Sequence, residues 1–75
     1  MKLVTVKMHW GEGAWHSELI DAEFACTLES TSYDTLVERV KVAVQDIYEV
    51  DFKYSGDIQF FFQSERVDNL RAQAS

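Results

Sequence analysis

The sequence predicts an α+β domain in which a mainly antiparallel four-stranded sheet, of order 3-2-1-4, carries one helix on one face. Three observations predict it. Polar and apolar residues alternate on both sides of the loop Gly11-Glu12-Gly13-Ala14, as the arms of a hairpin do. Apolar residues then recur with helical period between Tyr33 and Tyr48, and alternation returns over Ile58 to Gln63. The element order is β-β-β-α-β.

In the first strand Val4, Val6, Met8 and Trp10 point one way, and Thr5, Lys7 and His9 the other; Leu3 breaks the pattern. A hairpin closed by the four-residue loop 11–14 sets Trp10 opposite Trp15, Met8 opposite Ser17 and Val6 opposite Leu19 on the inner face. On the outer face Lys7 meets Glu18, with opposite charge, and His9 meets His16. A turn near Asp21-Ala22-Glu23 leads to a third strand with Phe24, Cys26 and Leu28 inward and Ala25, Thr27 and Glu29 outward.

Ser30-Thr31-Ser32 interrupts the alternation and supplies hydroxyls, with Thr31 and Asp34 at the spacing of a capping box. The helix that follows buries Tyr33, Leu36, Val37, Val40, Val44, Ile47 and Tyr48, and shows water Asp34, Glu38, Lys41, Gln45 and Glu49. One sheet face needs a cover and this is the one long helix, so the stripe reads as core. Residues 51–57 form a connection in which Phe52 and Tyr54 could add a short strand. In the last strand Ile58, Phe60 and Phe62 face inward, leaving Phe61 outside with Gln59 and Gln63. A right-handed crossover sets this strand parallel to the first. Residues 1–68 form a single domain and 69–75 a short C-terminal tail.

A chain this short has room for one core only. Hydrophobic residues make up 47% of it, which favours folding over disorder. With no disulfide framework or metal site to add stability, self-association is the expected support, and a homodimer is expected. The formal net charge is −6, with isolated basic residues, so direct nucleic-acid binding is not expected, whereas a basic partner is easily accommodated. Cys26, the single cysteine, fits a reducing cytoplasm. Residues 1–7 lack the apolar run of a signal peptide, and no membrane span is expected.

The search for catalytic chemistry yields little. His9, His16 and Glu18 could hold an open zinc site, but the sequence offers no supporting shell, and two solvent-facing histidines are the simpler reading. Ser17 adjoins His16, yet neighbours on a strand point to opposite faces and make no dyad. Cys26 reads as an inert inward thiol, and three isolated glycines make no phosphate loop. No catalytic residue, metal or cofactor is expected. What remains is the sheet face away from the helix, where an exposed aromatic stands among hydrogen-bonding side chains as at protein interfaces. The candidate partner-binding residues there are Lys7, His9, His16, Glu18, Glu29 and Phe61.

Several local phrases, in their order, resemble the short HicB-like proteins, relatives of the antitoxin half of HicA–HicB toxin–antitoxin systems. They are Lys2-Leu3-Val4-Thr5-Val6, Trp15 at the start of strand two, Ser32-Tyr33-Asp34-Thr35-Leu36-Val37 entering the helix, and Gly56-Asp57-Ile58 followed by Glu65-Arg66-Val67. The resemblance implies a partial ribonuclease-H-like fold without nuclease activity, which binds and occludes a small basic toxin that cleaves messenger RNA. Full-length antitoxins of this kind add a C-terminal DNA-binding segment; Val67 to Ser75 is too short for one, so operator binding is not carried over. Relatives often have a Pro-Gly turn between strands two and three, where this chain has Asp21-Ala22-Glu23-Phe24. The alternative expectation is an acidic inhibitor, of the kind phages carry, that mimics nucleic acid to block a host nuclease such as a CRISPR complex.

Overall fold

The structure, a computed structural model, describes residues 1–20 and 22–65. Its elements are β1 (Lys2–Gly11), β2 (Ala14–Ile20), β3 (Leu28–Ser30), α1 (Tyr33–Val50) and β4 (Ile58–Glu65). They form one four-stranded sheet in the order β3-β2-β1-β4. β1 runs antiparallel to β2 and parallel to β4, and β2 runs antiparallel to β3. The sheet is therefore mixed, and its order and single helix agree with the sequence reading. The domain limit at residue 68 and the tail 69–75 lie outside the described residues, as does Asp21 in the expected second turn.

The β1–β2 hairpin forms because its turn matches strand twist. Glu12 (φ 53°) and Gly13 (φ 79°) both adopt left-handed backbone, the requirement of a two-residue type I′ turn. Gly11 and Ala14 thus pair as strand residues, which makes the loop two residues shorter than the expected 11–14. The register sets Trp10 against Trp15, Met8 against Ser17, Val6 against Leu19, Lys7 against Glu18 and His9 against His16. Each of these pairs is the one the sequence predicts.

On the inner face Val4, Val6 and Met8 are buried beneath Leu36, Val40, Val44 and Tyr48 of the helix. Trp15, Leu19 and Leu28 pack at the margin. The helix begins at Ser32, whose extended backbone lets its Oγ accept a hydrogen bond from the Thr35 N–H at 3.3 Å. The expected Thr31–Asp34 box gives way to a cap one residue later, because Ser32 is the hydroxyl residue three positions before an open N–H. At the other end Lys53 turns the chain with left-handed backbone (φ 55°), and the Tyr54 N–H reaches back to the Tyr48 carbonyl at 2.8 Å. Residues 51–57 contain no strand.

The third strand departs most from expectation: only Leu28–Ser30 pairs with β2, and Phe24 and Cys26 lie before it. Phe24 still faces inward. Its ring meets Tyr48 at 5.3 Å and Phe52 at 5.8 Å, within an aromatic plug that closes the C-terminal end of the helix. Tyr54 joins this plug and donates its hydroxyl to the Asp57 carbonyl at 2.8 Å. A Cβ on Gly56 would stand 2.5 Å from that hydroxyl, so glycine permits the approach. Burial, and after it the charge of Glu23, raises the Tyr48 phenol above its ordinary pKa. The ring contacts of Phe24 thus take the place of the ladder that alternation alone would give there.

Candidate functional site

The helix covers one face of the sheet. No described element covers the other, which is built from alternate residues of all four strands. The registers align its side chains in rows. Glu29, His16 and His9 form one; Glu18, Lys7 and Gln63 the next; Ile20, Thr5 and Phe61 the third; Leu3 and Gln59 the last. Strand parity alone brings Lys7, His9, His16, Glu18, Glu29 and Phe61 to this face, since each is an even number of residues from its outward neighbours on the same strand.

The two ends of the face differ in chemistry. At the β3 end, the His9 and His16 rings stack at 5.1 Å between centroids. The His16 Nε2 lies 3.0 Å from the Gly11 carbonyl, which can only accept, so this nitrogen carries the proton. Nδ1 then faces Glu29 Oε2 at 4.0 Å. The carboxylate set against His16 is Glu29, in place of the Glu18 considered from sequence. Among the described residues no group of three or more His, Cys, Asp or Glu side chains is arranged to hold a metal ion. A hollow beside β3 is lined in part by His9, His16, Glu18, Thr27, Glu29 and Arg39.

At the β4 end exposed apolar side chains stand beside Gln59 and Gln63. Phe61 is 53% exposed and Leu3 67% exposed. They occupy diagonal positions, because Leu3 pairs with Gln59 and Thr5 with Phe61. Leu3 breaks the inward pattern in the sequence because it belongs to the outward set, and its parity with Thr5 and Lys7 was the signal. Arg39 comes to the hollow from the helix, a long-range placement that local pattern does not carry.

The remaining reactive side chains lie apart from this face. Ser17 is buried on the helix side, where its Oγ accepts from the Leu28 N–H at 3.2 Å and donates to the Leu28 carbonyl at 3.4 Å. It cannot reach the imidazole of His16, which points the other way. Cys26 is half-buried, and desolvation raises its thiol pKa, which disfavours the nucleophilic thiolate. The face offers shape, charge and exposed apolar side chains.

Comparison of the chain with protein-family models, with curated proteins and with solved structures found no match. The class is therefore defined by architecture alone: a small α+β domain with a mixed four-stranded sheet, one face of which no described element covers. Among the described residues no helix is long and apolar enough to cross a membrane.

Proposed function

We propose that this protein is a non-catalytic interaction domain of the HicB-like antitoxin type, which binds a small basic RNA-cleaving protein through its uncovered sheet face and occludes it. The observation that carries the reading is the pairing, on one face, of exposed apolar side chains at Leu3 and Phe61 with exposed carboxylates at Glu18 and Glu29, which stand among Lys7, His9, His16 and Arg39. Apolar contact excludes water at the centre of such an interface, and carboxylates at its rim steer a cationic partner and set its orientation. A net charge of −6 extends that steering over the whole molecule.

The test is capture from native-host lysate with tagged protein, followed by mass-spectrometric identification of what is retained. A small basic protein is expected, lost on Glu18→Lys with Glu29→Lys while the thermal unfolding curve keeps its shape. Retention unchanged by that double reversal sinks the proposed face. Capture of a large nucleic-acid-processing complex in place of a small protein turns the reading toward the nucleic-acid mimic.

A further inference from the structure

The edges of the sheet are unequal. β3 exposes three residues, Leu28–Ser30, whereas β4 exposes eight, Ile58–Glu65. Natural sheets protect long edges with charge, proline, bulges or a covering element. Here the seven residues 58–64 are uncharged, with charge only at the ends, Asp57 before the strand and Glu65 closing it, and the chain has no proline. An edge of that composition, with no strand beside it among the described residues, invites another strand.

The sequence of this edge says which strand it fits. Gln59-Phe60-Phe61-Phe62-Gln63 is a palindrome. Antiparallel pairing of two copies about Phe61 therefore sets each residue against its own kind: Phe61 against Phe61, Phe60 against Phe62, Gln59 against Gln63. The backbone supports the same register. The Lys2 N–H donates to the Asp57 carbonyl at 3.0 Å, and Lys2 is in register with Ile58. In a parallel ladder this directs the N–H and C=O groups of Gln59, Phe61 and Gln63 toward β1. Those of Ile58, Phe60, Phe62 and Ser64 point to the open edge. Centred on Phe61, these outward residues fall opposite one another as hydrogen-bonded pairs. Phe61 meets its symmetry mate at a non-hydrogen-bonded position, where side chains approach closest.

We propose that the protein is a homodimer joined through β4, two copies pairing antiparallel about Phe61 to make one continuous eight-stranded sheet. The contact is isologous, so it closes on itself and leaves only the short β3 edges open. It sets the two Phe61 rings side by side on the open face and brings together the half-buried Phe60 and Phe62, which the helix does not fully cover. The two-fold axis stands perpendicular to the sheet. Both uncovered faces therefore lie on the same side, with their apolar ends adjoining. The inference stands independently of the partner reading above.

The full chain is expected to sediment at twice its 8.7 kDa mass at micromolar concentration. Phe61→Lys places like charges across the axis and is expected to raise the dissociation midpoint by more than about tenfold. Because Phe61 is half exposed, circular dichroism should keep the native form. Register is read separately by disulfides in a Cys26→Ser background. A non-hydrogen-bonded pair has Cα atoms about 4.5 Å apart, within disulfide reach. Phe61→Cys is expected to cross-link to itself under mild oxidation. Gln63→Cys should remain unlinked alone but join Gln59→Cys when the two variants are mixed. A monomer at every concentration overturns the proposal, as does a dimer indifferent to Phe61→Lys or one whose Phe61→Cys form fails to cross-link.

Discussion

Along β1, adjacent residues have opposite fates. Val4, Val6 and Met8 are 4%, 0% and 0% exposed, whereas Leu3 and His9, in the same ten-residue strand, face water. The covered face carries the apolar packing that favours folding, and the open face keeps side chains that folding does not need. The difference teaches where to look for function in a domain this small. Leu3 and Phe61 are two of several large apolar side chains left exposed, and they are the two that share the open face with the carboxylates of Glu18 and Glu29.

The most forceful way to break that comparison is a pair of neighbouring substitutions. Met8→Ala removes a fully buried side chain beneath the helix and is expected to lower stability by about 2–5 kcal/mol, through lost burial and a residual cavity. His9→Ala, one residue on, is expected to change it by no more than about 0.5 kcal/mol, because the ring gives up only a stack with His16 at the surface. Urea unfolding at one protein concentration measures both. Comparable losses would mean that the open face also holds the fold, and the division between the faces would fail.

A second, smaller effect reaches the covered face through its lid. Ser32→Ala removes the side chain that receives the Thr35 N–H and is expected to lower stability by about 1 kcal/mol. Thr31→Ala, at the position the sequence favoured for the cap, should be nearly neutral. Thermal unfolding of the two variants decides between the caps; a larger loss for Thr31 would move the helix start back by one residue. Since the Ser32 side chain caps the helix and belongs to none of the rows of Leu3, Phe61, Glu18 and Glu29, partner capture should survive its loss.

How much of this was legible follows from the range of each interaction. The hairpin pairs and outward set could be read because period-two alternation and a tight turn are local. So could the buried stripe of the helix. The third strand could not be read in full, because Phe24 alternates with Cys26 and Leu28 like a strand residue while its ring is claimed by Tyr48 in the last turn of the helix and Phe52 just after it. The cap was displaced by one residue because three successive hydroxyls offered it, and backbone geometry made the choice. Of the candidate site, the membership of the face was legible by parity. The joining of His16 to Glu29, and the arrival of Arg39, needed the tertiary fold.

The finest adjustment concerns the turn that assigns residues to faces at all. A slip of one residue between β1 and β2 would send Lys7 and His9 toward the helix and Met8 toward water, so the whole division of labour rests on the register set by Glu12-Gly13. Gly13 holds its left-handed backbone without penalty, but Glu12 does so against the preference of a side chain with a Cβ. Asparagine tolerates that conformation better, and Asn-Gly is the favoured pair for this turn. Glu12→Asn is therefore expected to stabilise the domain by a few tenths to about 1 kcal/mol, seen as a higher urea midpoint at unchanged slope. It removes one acid from a loop remote from Glu18 and Leu3 on the face, so capture of a basic partner should persist. A lower midpoint would show that Glu12 makes a contribution the turn geometry does not contain, and that register is held chiefly by the facing tryptophans, Trp10 and Trp15, whose rings meet edge-on at 5.7 Å.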